Sequence, residues 1–245
     1  MELSIIIPVF EERQKIAQDI ITAAEFLKKH AISGEIIIVD DGSQDDTAEV
    51  ARNTQPNAGI PVRVIRYPVQ RGKGFAVRTG FNSSRGEVVM FIDSGQTVPF
   101  DNVLTGLSLI KNDLCDIAHG SRKLPASTIH KSHKWLRQVS SWLFQKIIRI
   151  VLSLPVTLTD TQCGLKIYRG EIGRQLYRKA QIDGFLFDIE IILRAVHQHY
   201  RIQEFPIEWT ADRDSRLSLK NMPWRVLTEL RRIKRILKEE QQQVV

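Results

Sequence analysis

Short apolar runs in the N-terminal part of the chain each end in acidic residues. Leu3 to Val9 is followed by Glu11 and Glu12, Glu35 to Val39 by Asp40 and Asp41, and Glu87 to Ile92 by Asp93 and Ser94. Carboxylates gathered this way accept hydrogen bonds from the hydroxyl and N–H groups of a polar ligand. The tetrapeptide Asp40-Asp41-Gly42-Ser43 also makes an ordinary turn, with Asp45 or Asp46 able to cap a following helix. Three acidic strand ends on one edge shift the balance toward a ligand site. Arg71-Gly72-Lys73-Gly74 precedes a helical stretch and could bring backbone amides and a lysine to a phosphate. It is neither a Walker loop nor GxGxxG, and a glycine turn fits it equally well. The two cysteines, Cys115 and Cys163, have no CxxC or Cys/His ligand spacing, and none of the six histidines pairs with a nucleophile.

The basic character is local. The chain carries 35 Lys plus Arg against 28 Asp plus Glu, a net charge of +7. Between Asp116 and Asp160 there is no acidic residue, whereas Arg122, Lys123, Lys131, Lys134, Arg137, Lys146 and Arg149 all fall there, so the remainder is balanced. Such an excess meets phosphate on nucleic acid, on a lipid headgroup or on an anionic substrate. No zinc finger, RRM-like aromatic motif or helix-turn-helix context accompanies it, and a carboxylate-lined edge repels a polyphosphate in the absence of metal, so no nucleic-acid partner is expected. With 42% apolar and 26% charged residues and a mean hydropathy of -0.18, disordered, collagenous and coiled-coil classes are excluded.

The elements that must position these residues alternate in period. Strands at Leu3 to Val9, Glu35 to Val39, Val62 to Arg66 and Glu87 to Ile92 are separated by helical patterns at Arg13 to His30, Asp46 to Asn53 and Gly74 to Ser83. This order predicts an open α/β fold with a parallel sheet, whose ligands bind beyond the carboxyl ends of the strands at the topological switch point. A later strand is expected at Gly164 to Tyr168, with Asp160 either capping the turn before it or serving the chemistry. The start, MELSIIIPVFEER, has no basic leader, and no run reaches the roughly 18 apolar residues of a membrane span, so a cytoplasmic location is expected.

The segments SIIIPVFEE, IIIVDDGSQDDT, RGKGFAVRTGFNSSRGEVVMFID, GSR at 120–122, DTQCGLKIYR and FDIEIILRA, in this order, resemble family 2 glycosyltransferases of the GT-A fold. Within that family the likeness is to the polyprenyl- and dolichyl-phosphate sugar transferases. The resemblance implies a Rossmann-like, mostly parallel sheet flanked by helices, with residues 1–217 as the catalytic domain. In it, 1–97 would bind nucleotide and 98–217 the acceptor, with an acid-free insertion at 121–159. Residues 218–245 would form a basic amphipathic helix and tail.

The resemblance also implies roles. Pro8, Phe10, Glu12, Val39 and Asp41 would hold the base and ribose of a nucleotide-sugar donor, with Lys73 and Ser94 beside it. Asp93 and Gln96 would bind Mg2+ or Mn2+, which neutralises the leaving diphosphate. The family pattern is Asp-x-Asp, and here Gly95 replaces the second carboxylate, so the cation should bind weakly or mainly together with the nucleotide. Arg122, Arg213 and Arg216 would bind donor or acceptor phosphate, Asp160 would stand at the anomeric centre, and Gln162, Asp188 and Glu190 would line the acceptor side. The implied reaction is inverting transfer of a hexose to a polyprenyl phosphate. Transfer to a soluble or cell-envelope glycan, and a nucleotide-sugar-binding relative of weak activity, are the alternatives.

Two basic amphipathic helices are expected, at 131–154 and 222–240. In the first, Trp135, Leu136, Val139, Trp142, Leu143, Ile147 and Ile150 share one arc. That arc could pack in the core, pair with a second subunit or lie in a membrane interface, and a lipid-phosphate substrate favours the interface. Attachment would be peripheral, on the cytoplasmic face, or through a partner protein.

Overall fold

The computed structural model describes residues 1–56, 59–131, 152, 155, 157–184, 186–210 and 222–242. The expected helix at 131–154 lies almost wholly outside these residues, as do Arg213 and Arg216.

Strands β1 (Leu3–Val9), β2 (Gly34–Asp40), β3 (Val62–Arg66) and β4 (Val88–Ile92) alternate with helices α1 (Ile16–Lys29), α2 (Thr47–Asn53) and α3 (Lys73–Ser83). Then follow α4 (Val103–Lys111), β5 (Ile117–Ser121), β6 (Thr128–Lys131), β7 (Leu165–Arg169), α5 (Gly170–Lys179), α6 (Phe187–His197), β8 (Ile202–Pro206), β9 (Glu208–Thr210) and α7 (Met222–Gln242). The main sheet has seven strands in the order β3-β2-β1-β4-β7-β5-β8. Its first four strands are mutually parallel, β7 runs antiparallel to both β4 and β5, and β8 is parallel to β5. Thus the α/β reading holds, and the sheet is mostly rather than wholly parallel. β6 and β9 form a separate two-stranded parallel sheet.

Every residue of β1 and β2 is buried, because helices cover both faces of the sheet. Ile5, Ile7, Ile36 and Ile38 pack with α1 and α4 on one face, while Ile6, Ile37 and Val39 pack with α3, α5, α6 and α7 on the other. Each such fully buried aliphatic side chain contributes about 1.5–3 kcal/mol. In α7, Leu230, Ile233, Ile236 and Leu237 join this second layer, whereas Arg231, Arg232, Lys234, Arg235 and Lys238 are exposed. Over these residues the apolar face of the tail helix is therefore spent on the core, and only its basic face is free to meet a partner. No helix among the described residues is long and apolar enough to cross a membrane.

Because β2 lies on one side of β1 and β4 on the other, the strand order reverses between β1 and β4. The carboxyl ends of those strands bring Phe10 and Asp93 to one edge, beside Asp41 from β2.

Candidate active site

At the donor edge the carboxylates clamp backbone. Asp41 accepts the N–H groups of Arg71 and Gly72, each at 2.8 Å. This binds the Arg71-Gly72-Lys73-Gly74 turn to the end of β2. Burial pushes the Asp41 carboxyl up despite these bonds. The turn is also held from behind: Gly74 N–H donates to the Asp183 carbonyl at 2.8 Å, and Gly72, at φ 117, leaves no room for a Cβ against that same carbonyl. Asp40 accepts the Ser43 N–H at 3.0 Å, and Ser43 Oγ accepts the Glu11 N–H at 2.7 Å. Pro8 and Val39 are register partners buried within the sheet. The Glu12 carbonyl caps α1, accepting the N–H groups of Lys15 and Ile16, and its carboxylate lies 3.3 Å from Lys15 Nζ.

The loop after β4 carries the motif expected to hold metal. Asp93 Oδ1 lies 2.6 Å from Lys73 Nζ, and both side chains are partly open, at 36% and 40% exposure. Burial would lower the Lys73 pKa, but Asp93 and Asp188 outweigh it and the ammonium is held above its ordinary value. Gly164 fixes Asp93 from the far side, accepting its N–H at 2.9 Å and leaving no space for a Cβ beside the carboxylate. Gln96, expected as a metal ligand, donates from Nε2 to Thr22 Oγ1 on α1 at 3.0 Å, so its amide is engaged with a helix. The loop is anchored further by Asp19, a buried carboxylate that accepts the Gly95 N–H at 2.9 Å and whose pKa burial pushes up to about 6. Among the described residues no group of three or more His, Cys, Asp or Glu could hold a metal ion. One carboxylate, already facing an ammonium, fits a cation that arrives on a diphosphate better than a resident one.

On the acceptor side, charges pair with charges. Asp160, fully buried, takes Arg122 Nε at 2.7 Å, Nη2 at 2.8 Å and the Arg122 backbone N–H at 3.0 Å. Burial alone would raise this carboxyl, but the Arg122 bonds and charge win and hold it below the usual range. The geometry is a bidentate ion pair, and it supersedes the reading of Asp160 as a simple turn cap. The guanidinium carbon of Arg122 also sits 5.2 Å from the Trp209 ring centroid. Lys166, buried near the start of β7, reaches Asp188 at 2.7 Å and the Cys163 carbonyl at 2.9 Å. Burial raises the Asp188 carboxyl, opposed by Lys166 and Lys73. Gln162 Nε2 is buried without a hydrogen-bond partner among the described residues.

Glu190 departs from its expected place on the acceptor side. Its carboxylate accepts the N–H groups of Gln181 and Ile182 and pairs with Arg194 at 2.8 Å, both side chains being fully buried. It braces the 181–184 loop that holds the glycine turn.

Three of the site carboxylates are each matched by a cation. Lys73–Asp93, Lys166–Asp188 and Arg122–Asp160 are ion pairs close enough to feel one another, since Asp188 acts on Lys73 and Asp93 acts on Arg122. Lys166, Asp19 and Glu204 were not anticipated from sequence. A signal existed for the first two: a lysine inside an apolar strand, and a carboxylate on the Ile16, Ile20, Ala23 face of α1.

Comparison with known proteins follows this geometry. The profile of Glycosyl transferase family 2 matches residues 4–176. The chain is 29% identical over 227 residues to the dolichyl-phosphate beta-glucosyltransferase of Dictyostelium discoideum, covering 88% of this chain and 68% of that one. To the protein of the same name from Homo sapiens it is 29% identical over 228 residues, covering 88% and 69%. Among solved structures, glucosyl-3-phosphoglycerate synthase from Mycobacterium tuberculosis, in complex with Mn2+, uridine diphosphate and phosphoglyceric acid, aligns with a TM-score of 0.65. That alignment covers 96% of this chain and 77% of the synthase at 18% identity, a likeness of fold. The matched segment carries Asp41, Lys73, Asp93, Arg122, Asp160 and Lys166, and the chain is a glycosyltransferase belonging to glycosyl transferase family 2.

Proposed function

We propose that the enzyme transfers a hexose, with inversion, from a UDP- or GDP-sugar to the phosphate of a polyprenyl lipid such as dolichyl phosphate. The phosphate oxygen attacks the anomeric carbon, the bond from that carbon to the donor diphosphate breaks, and the nucleoside diphosphate leaves with the electron pair. The observation that carries this reading is the state of the site carboxylates. A hydroxyl acceptor needs a base poised near neutral pH. Here Asp160 is held below the ordinary carboxylate range by Arg122 and Asp93 faces Lys73, while Asp41 and Asp188, both raised by burial, are taken up by two backbone amides and by the Lys166 ammonium. An acceptor that is already anionic needs no such base; it needs positioning and a cation, which Arg122 supplies. The relatives named as dolichyl-phosphate beta-glucosyltransferases support the same acceptor.

On the donor side, Phe10, Glu12 and Asp41 border the nucleoside, and Lys73 and Asp93 meet the diphosphate. A site of paired charges gains a deficit of positive charge when a diphosphate enters. Mg2+ or Mn2+ brought with the nucleotide would make up that deficit, with Asp93 as its protein ligand and Ser94 beside it, and would stabilise the leaving group. The exposed basic face of α7, with Arg231, Arg232, Lys234, Arg235 and Lys238, supports peripheral attachment to an anionic cytoplasmic leaflet.

The test supplies UDP-glucose or GDP-mannose with Mn2+ and dolichyl phosphate in detergent micelles, and a soluble oligosaccharide in parallel. Formation of a lipid-phosphate sugar is expected. Sugar transfer to the oligosaccharide alone would remove the lipid-phosphate reading.

A further inference from the structure

We propose that Glu204 is the positioning residue for the acceptor-side cation, fixing the main chain at Thr159 and Asp160 so that Asp160 presents Arg122 to the substrate phosphate. This rests on the reading of Arg122 as the group that meets that phosphate.

Glu204 lies on β8, in register with His119 of β5. Its Oε2 accepts the Thr159 N–H at 2.8 Å and the Thr159 hydroxyl at 2.7 Å, and its Oε1 accepts the Asp160 N–H at 2.7 Å. All three partners are donors, so only a carboxylate satisfies them with both of its oxygens; a glutamine would set an NH2 against an N–H. The Thr159 hydroxyl has one proton, and it is spent on Glu204. The 2.9 Å contact between Ser121 Oγ and Thr159 Oγ1 must therefore be donated by Ser121, which in turn accepts the Lys123 N–H at 3.3 Å. The chain of hydrogen bonds runs one way, from Lys123 through Ser121 and Thr159 to Glu204, and bonds aligned in this manner strengthen one another.

The chain brackets Arg122 on both sides. Ser121 and Lys123 flank it in sequence, and Thr159 precedes the Asp160 that holds Nε and Nη2. Nη1 is left without an acceptor among the described residues, and Trp209 lies against the guanidinium. Glu204 thus sets where the remaining N–H donors of Arg122 point, without touching substrate itself. Arg122 and Asp160 would still attract one another without it, but on a main chain whose N–H groups have lost their acceptor.

The experiment compares Glu204→Gln, Glu204→Asp and wild type. Two measurements are made: the acceptor KM and kcat with dolichyl phosphate, and the stabilisation produced by UDP with Mn2+. Glu204→Gln should raise the acceptor KM about tenfold, the worth of a lost hydrogen bond to a charged group, while kcat at saturating acceptor changes less than about twofold. Stabilisation by UDP should be unchanged, and Glu204→Asp should recover part of the loss. An unchanged acceptor KM, or a loss confined to UDP binding, would overturn the assignment. A wild-type enzyme inactive on dolichyl phosphate overturns the acceptor reading instead, and the positioning claim is then read from stability alone. In that readout, Glu204→Gln should raise the unfolding constant about fivefold less when Arg122 is already alanine. Additive effects would reduce Glu204 to a loop brace and sink the proposal.

Discussion

Two uses of a carboxylate stand side by side in the two halves of the sheet. In the parallel half, Asp41 holds the N–H groups of Arg71 and Gly72, and Asp19 that of Gly95. In the half containing the antiparallel strand β7, Asp160 faces Arg122, Asp188 faces Lys166, and Asp116 faces both Arg169 and Arg201. A carboxylate that clamps backbone fixes the shape of a loop and leaves the nearby cations alone. One that faces a cation sets how much positive charge the site can offer. The donor-edge turn thus owes its shape to Asp41 and meets charge at the open pair Lys73–Asp93, whereas the acceptor edge buries its charge pairs on a main chain held by Glu204 and Glu190.

The largest effect should come from breaking a buried charge pair. Lys166→Met leaves Asp188 buried without its counter-ion, which should cost about 3–5 kcal/mol in urea unfolding. The double variant Lys166→Met, Asp188→Leu should recover much of that loss. Recovery would confirm that the acceptor edge is governed by pairing, and its absence would show that Asp188 has another indispensable partner.

Asp19 should behave in the opposite sense, because its folded pKa of about 6 lies above its unfolded value. Such a group favours folding fully below about pH 4, and that contribution is lost as pH rises through 6. Asp19→Asn keeps an acceptor for Gly95 and cannot ionise. It should be more stable than wild type at pH 7, by up to about 3 kcal/mol, with the gap closing by pH 4. Parallel stability curves for the two proteins across this range would contradict the burial argument.

A smaller loss is expected from Asp41→Asn, which can accept from one of its two backbone partners but not both. About 1–3 kcal/mol should be lost, with weaker UDP binding, since the Lys73 turn loosens. The smallest change in stability should come from Lys73→Gln at the half-open pair with Asp93, within about 1 kcal/mol, although its effect on UDP affinity should be large. If Lys73→Gln instead destabilised the fold as Lys166→Met does, the contrast between open and buried pairs would fail.

The same contrast governs what could be read in the residues themselves. β1, β2 and β4 are buried on both faces and read as unbroken apolar runs, so their ends, and with them Asp41 and Asp93, were legible. β5 and β8 carry His119 and Glu204 in mid-strand and have no clean period, and their attachment to β4 through β7 could not be inferred from pattern. The charge pairs and hydrogen bonds of that half join residues distant in sequence: Arg122 to Asp160, Lys166 to Asp188, Thr159 to Glu204. Periodicity locates a face but not a partner across the sheet. Glu190 shows the limit: its place on the helix Phe187–His197 was visible, but its commitment to Arg194 and the 181–182 amides was not. The tail helix was legible as basic and amphipathic, yet only packing reveals that Leu230, Ile233, Ile236 and Leu237 face the protein.

The central claim is that a site of paired charges with a single motif carboxylate receives its cation together with the nucleotide. Thermal unfolding with Mn2+ alone, UDP alone and both together tests it directly. Mn2+ alone should leave Tm unchanged, UDP alone should raise it slightly, and the two together should stabilise by well over the sum, about 2.7 kcal/mol at one hundred times the joint Kd. Full stabilisation by UDP in the presence of EDTA, or an equal shift from Mn2+ alone, would contradict it.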